Sequence, residues 1–349
     1  MRDKKMLNQV KNILCVGMPV ADILISGARA NNLMERFNML AGVRNMLDDA
    51  QIIALEAEII SGDYEVQIVA GGSMANSACS VANLCDANID FFAAISDDNY
   101  GAIFTTGLKE AGIKHLPSGF YGVQTSRSYV ITDNSGERAI ARHLGDSMSK
   151  IDVDHFKNAI DDCDLMLLEG ELPSLPNGHS LWLELLQYAK SQDKMIGFSL
   201  FGAEQVAKHR KLFMQTIEQY ADLVFGNEGE IAALFAEKLG NFEQECQDIF
   251  AIMQGRNQNA IMCISHGDKA PYLASGNGVF RTPPSHVDNL VNTLGAGDGF
   301  MAGTLAGLLK GLTEENALKL GHKVASAVLQ QAAPQLSKAD LLAIKPYAK

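Results

Sequence analysis

Six short apolar runs limit most strongly what this chain can fold into. They are "NILCVG" (12–17), "IDFFAAIS" (89–96), "LMLLEG" (165–170), "KMIGFSL" (194–200), "ADLVFGN" (221–227) and "NAIMCIS" (259–265). Each has strand length and reads as apolar almost throughout, the pattern of a strand buried on both faces. Helical patterns at 75–85, 179–191, 203–219, 228–239 and 298–309 alternate with most of them. Parallel strands need such crossovers, so the pattern predicts an α/β fold with a central, mostly parallel sheet flanked by helices. Ligands of such sheets sit at the carboxyl ends of strands, so residues there carry the most functional weight.

Two regions break the rhythm. Residues 24–70 hold an acidic amphipathic helix near 47–60 and then "YEVQIVAGG", which alternates like a strand. Residues 120–144 read as two strands around a turn at Asn134-Ser135-Gly136. Strands without intervening helices predict a small sheet apart from the main one, a lid built from segments at about 24–70 and 120–144. No Pro/Gly-rich linker or repeat divides the chain, so a single domain over 1–349 is expected.

With 349 residues, a chain of this size buries roughly 75% of its unfolded surface and needs no disulfide or metal to hold a core. The cysteines at 15, 79, 85, 163, 246 and 263 form no C-x-x-C, which fits reduced thiols better than a disulfide or zinc framework. With 29 basic against 41 acidic residues, net −12, the chain is a poor candidate for nucleic-acid binding, which rests on Lys/Arg contacts to phosphate. No run approaches the roughly 18 apolar residues of a membrane span. The opening "MRDKKMLNQVKNILCVG" lacks a signal-peptide cleavage site. A cytoplasmic protein without membrane or nucleic-acid partners is expected.

The chemistry concentrates in "NTLGAGDGFMAG" (292–303). In Gly295-Ala296-Gly297-Asp298, small residues let the backbone approach a ligand, and a helix follows. Helix N-termini carry unpaired N–H groups and partial positive charge, which favour phosphate. Asp298 at the edge of that cradle would accept the proton of an attacking hydroxyl. The plainer reading is an Asp N-cap after a Gly-rich turn, and on these four residues both stand. A dinucleotide fingerprint fails, because Phe300 stands where the third glycine is needed.

The segment resembles the C-terminal signature of the PfkB, or ribokinase-like, sugar and nucleoside kinases, D-T-x-G-A-G-D-x-F-x-x-G, with Asn292 at the first position. Further family motifs occur in order along nearly the whole chain. The resemblance implies a ribokinase-like fold, use of ATP with Mg²⁺, and the potassium activation common in the family, for which no residue here is readable. It implies that Asp298 is the base and that Gly295, Ala296 and Gly297 form the anion hole. "VGMPVADILI" resembles the family's first strand with its closing acidic residue, so Asp22 would bind sugar hydroxyls. "AGGSMANSA" resembles the Gly-Gly motif, giving Gly71, Gly72 and Asn76 to the substrate. "FGNEGE" resembles the Asn-x-x-Glu motif, giving Asn227 and Glu230 to Mg²⁺, although the same residues form a capping box. "SHGDKA" gives Ser265 and Gly267 to the nucleotide phosphates, with Ala270 in place of the last glycine; Thr293 joins them.

"SGERAIARHLGDS" (135–147) resembles the lid segment of adenosine kinases, placing Arg138 over the transferring phosphoryl group. "GHKVAS" (321–326) resembles a segment bordering their nucleotide site, placing His322 near a purine. The expected activity is phosphorylation of a primary hydroxyl on a ribonucleoside, adenosine favoured, or on a sugar. A ribokinase- or fructokinase-type sugar kinase and a ligand-binding regulator on the same fold are the alternatives. The sequence leaves the oligomeric state open.

Overall fold

The computed structural model describes residues 6–27, 30–40, 44–117, 119–132, 138–235, 240–291 and 293–348. Its strands, in chain order, are β1 (Asn12–Val16), β2 (Val20–Ser26), β3 (Arg44–Met46), β4 (Glu65–Gly71), β5 (Asn88–Phe92), β6 (Lys114–Leu116), β7 (Ser126–Thr132), β8 (Arg138–His143), β9 (Leu165–Glu169), β10 (Met195–Ser199), β11 (Leu223–Asn227), β12 (Ile261–Ser265), β13 (Tyr272–Ser275) and β14 (Gly278–Phe280). Nine of them form one sheet in the order β14-β13-β12-β11-β10-β9-β1-β5-β6. From β12 to β6 every pairing is parallel; β13 and β14 add antiparallel strands at one edge. The six apolar runs are β1, β5, β9, β10, β11 and β12, whose residues are largely inaccessible to solvent because helices cover both faces. Ile13 pairs with Leu165 and Val16 with Phe92, so the sheet centre is largely aliphatic and aromatic.

The remaining strands form a separate five-stranded sheet, β3-β8-β7-β2-β4. Here alternation decides which residues face what. Ile23 and Ile25 of β2, Tyr129 and Ile131 of β7, and Ala139 and Ala141 of β8 bury themselves against Ile52 and Leu55 of the helix α1 (Asp49–Ser61). The intervening residues of those strands look the other way, toward the large sheet. Asp48 caps α1 by accepting from the Gln51 amide, and the Gln51 side chain returns to the Asp48 amide.

Two expectations are corrected. The run at 16–25 is not one strand with Asp22 at its end: β1 stops at Val16, and Asp22 lies within β2 of the small sheet, which therefore begins at Val20 instead of about residue 24. The helical pattern at 203–219 is two helices, Ala203–Lys208 and Arg210–Gln219, separated at His209. The expected turn at Asn134-Ser135-Gly136 lies outside the described residues, as does Asn292.

Candidate functional site

A cleft of about 400 Å³ opens where β10, β11 and β12 of the large sheet end beneath the small sheet. It brings together Asp22, Gly72, Asn76, Arg138, Asn227, Glu230, Ser265, Thr293, Gly295, Gly297 and Asp298. Ala296, Gly71, Gly267 and His322 are not among its lining residues. A larger groove of about 1270 Å³, between β4, the helix Asn99–Glu110 and the segment 331–341, contains none of the expected site residues.

The helix α3 (Ala296–Leu309) begins at the cleft. Its N-cap is Gly295, in the left-handed region at φ +79°, so the plainer reading of Asp298 as the cap does not hold. Asp298 lies in the first turn, its carboxylate directed away from its own helix. Ser73 Oγ donates to its Oδ1 at 2.5 Å and Asn76 Nδ2 to its Oδ2 at 3.1 Å. Both donors belong to the helix α2 (Ser73–Leu84), which starts straight after the Gly-Gly pair. Ser77 Oγ also donates to the Asp298 carbonyl at 3.2 Å. Asn76 Oδ1 is buried and has no hydrogen-bond partner among the described residues, leaving an acceptor position beside Asp298. At Gly297 an added Cβ would meet no heavy atom within 4 Å. The start of α3 is therefore open above Gly297, at a helix N-terminus, where backbone amides point out of the helix end.

Asp22 is 6% exposed and faces the cleft from β2. Gly71, on the adjacent strand, is what makes room for it: a Cβ there would overlap the Asp22 carboxylate. Gly72 has φ +97°, and a Cβ on it would come within 2.9 Å of the Met18 carbonyl oxygen. The pair thus serves a close approach and a sharp turn from β4 into α2.

Asn227 and Glu230 form the capping box. Asn227 Oδ1 accepts from the Glu230 amide at 3.0 Å and Glu230 Oε2 from the Asn227 amide at 3.0 Å. Glu230 Oε1 accepts from the Gly202 amide at 2.5 Å. Among the described residues no cluster of three or more His, Cys, Asp or Glu side chains could cage a metal. Ser265 closes β12, its Oγ 3.4 Å from the Gly226 carbonyl. Gly267 follows in a turn at φ +57°. Arg138 enters from β8, donating from Nε to Thr132 Oγ1 at 3.0 Å; partial burial lowers its pKa from the usual value. His322 is a buried helix residue 5.3 Å from the Phe300 ring, and burial lowers its pKa, favouring the neutral imidazole.

Ser73, Arg142 and Phe201 also line the cleft; Ser73 and Arg142 lie within motif segments but were assigned no role there. The two-residue spacing of Arg138, Ile140 and Arg142 on β8 is the feature that would have found the second arginine, since alternate strand residues share a face.

A sequence profile of the pfkB family carbohydrate kinases matches residues 46–340. The chain belongs to the pfkB family. This pfkB kinase is 24% identical over 345 residues to an adenosine kinase of Schizophyllum commune, covering 93% of this chain and 96% of that one. It is 25% identical over 276 residues to a 5-dehydro-2-deoxygluconokinase of Bacillus anthracis, covering 75% and 80% of the two chains. Its fold matches the adenosine kinase of Sinorhizobium meliloti with a TM-score of 0.83 at 22% identity, over 97% of this chain and 99% of that one. Membership makes the chain a phosphotransferase acting on an alcohol hydroxyl, and the family implies use of ATP.

Proposed function

We propose that this pfkB kinase transfers the γ-phosphoryl group of ATP to a primary hydroxyl of a ribonucleoside, adenosine first, with Asp298 as general base. The convergence of α2 and α3 on Asp298 carries the reading: one carboxylate, held at both oxygens, stands at the mouth of a helix N-terminus inside a cleft. Asp22 and Asn76 would hold the acceptor's hydroxyls, the first through its carboxylate and the second through the orphaned Oδ1. The attacking hydroxyl would give its proton to Asp298 while the Gly295–Asp298 amides hold the charge spread over the phosphoryl oxygens. Arg138 approaches from the small sheet, which would act as a lid and exclude water on closing.

Mg²⁺ would neutralise phosphate charge. Asn227 and Glu230 fit an outer-shell role, because backbone amides already engage their side-chain oxygens and Mg²⁺ usually keeps several waters. Ser265, Gly267 and Thr293 would border the nucleotide phosphates. Gly267 reaches them only if its turn folds toward the cleft, and His322 acts on a purine only through Phe300. The adenosine kinases among the relatives and the lid segment around Arg138 support a nucleoside acceptor; the relatives named for a dehydro-deoxygluconate support a sugar as the second reading.

Asp22→Ala tests the acceptor assignment. KM for the acceptor should rise by about 10-fold or more, the scale of a lost hydrogen bond to a charged group, while KM for ATP stays put. Equal rises in both constants would remove Asp22 from the acceptor site.

A further inference from the structure

Within the segment that resembles the adenosine-kinase lid, the structure buries in the cleft a second charge to which the resemblance assigned no role. Arg142 is 6% exposed, lies two strand positions beyond Ile140 on the cleft face of β8, and lines the cleft. Its Nη2 is 2.9 Å from Glu171 Oε2, an ion pair in which both side chains are 7% exposed. Yet Nε makes no hydrogen bond to any described residue, and Nη2, although beside Glu171 Oε2, is not aligned for one. A buried guanidinium with unused donors is costly unless something supplies acceptors. Its carbon Cζ sits 5.7 Å from the centre of the Phe201 ring. Phe201 holds φ +62°, a backbone conformation that bulky residues rarely adopt, so the fold accepts strain to put that ring there.

We propose that Arg142 is a specificity-determining residue, donating hydrogen bonds to an uncharged acceptor atom of a planar nucleobase laid along the Arg142–Phe201 wall. The inference rests on the reading of this cleft as the acceptor site of a kinase, and it narrows that site to nucleosides over sugar acids. Charge decides between these two. Asp22, Glu230 and Asp298 line the cleft with Arg138 and Arg142, and the guanidinium of Arg142 is already matched by Glu171. The neighbouring Glu169 is pushed up to about 8 by burial and then by Glu171, so its proton stays on at neutral pH and it adds no unmet charge for a ligand to balance. A carboxylate on the acceptor would bring an unbalanced negative charge into a site with a surplus of carboxylates. A ring nitrogen or oxo group uses the donors at no such cost, and a flat base matches a flat wall.

Binding of adenosine, ribose and gluconate is measured by titration calorimetry on wild type, Arg142→Lys and the doubly changed Arg142→Met/Glu171→Gln. The double change keeps the buried charge balanced, because removing the arginine alone strands Glu171. Melting curves and ATP affinity establish that each variant is folded. Wild type should bind adenosine and not gluconate. Both variants should bind adenosine about 10- to 100-fold more weakly, with ATP affinity unchanged and ribose binding altered less than twofold. Adenosine affinity within twofold of wild type in the double variant overturns the proposal, as does gluconate binding tighter than adenosine. The kinase reading fails separately: adenosine binding that depends on Arg142 without any ADP release would leave this inference standing and remove phosphoryl transfer.

Discussion

Ser73 donates a 2.5 Å hydrogen bond to Asp298 across 225 residues of sequence. It joins the first residue of α2 to the first turn of α3, so the two helix N-termini meet at one carboxylate. In the proposed role of base, a carboxylate held in this way would lose little freedom when the acceptor arrives, its orientation coming from the fold instead of the substrate.

Ser73→Ala should therefore lower kcat by about 10-fold, the value of one charge-assisted hydrogen bond. KM for ATP should stay within twofold, and Ser73→Thr, which keeps the hydroxyl, should recover most of the rate. Steady-state kinetics on the three proteins check this. A kcat within twofold of wild type in the alanine variant would show that Asn76 alone orients the base.

The two glycines that bracket Ala296 separate folding from chemistry. Gly295→Ala meets a left-handed φ of +79°, and its Cβ would overlap the Pro334 carbonyl oxygen. It should lose about 1–3 kcal/mol of stability. Gly297→Ala meets open space and sits within a helix, where alanine gains up to about 1 kcal/mol over glycine. Its melting temperature should hold or rise while turnover falls, because the methyl would occupy the proposed phosphate cradle. Denaturation and kinetics on the pair are decisive; full activity in Gly297→Ala would remove the cradle.

Much of this architecture was readable in the sequence, for a physical reason. Strands buried on both faces have no polar side to present, so β1, β9 and β12 stand out as unbroken apolar runs. The GAGD loop was readable because only glycine meets the demands at 295. The position of Asp22 was not, since β1 and β2 are both apolar and only Gly17, Met18 and Pro19 separate them; nothing local says that the chain changes sheets there. Nor was Ser73 legible, and Arg142 was so only through its two-residue spacing from Arg138. Their meaning lies in partners 225 and 29 positions away, Asp298 and Glu171, and a strand arginine looks like any solvated charge until the fold buries it.

Glu169 gives the protein a pH signature. Burial raises its pKa from 4.5 to about 8, with Glu171 adding to the rise and Arg142 opposing it. Between those values the folded state holds a proton that the unfolded state has released. Its contribution to stability is full below about pH 4.5 and fades as pH rises through 8. Glu169→Gln keeps an acceptor for the Met18 amide, now bonded at 2.7 Å, and removes the titration. Wild type should lose up to a few kcal/mol relative to this variant from about pH 5 to 9. Parallel melting-temperature curves across that range would exclude a buried, titrating Glu169.

The central claim, that Asp298 is the base of a phosphoryl transfer, is tested most directly by ADP release from MgATP with adenosine, inosine, ribose and fructose as acceptors. Each is run on wild type beside Asp298→Asn. The account predicts strong adenosine-dependent release by wild type and a loss of about 10²-fold or more in kcat in the variant, the scale of general-base catalysis, with acceptor binding retained. Near-wild-type turnover by Asp298→Asn would contradict it.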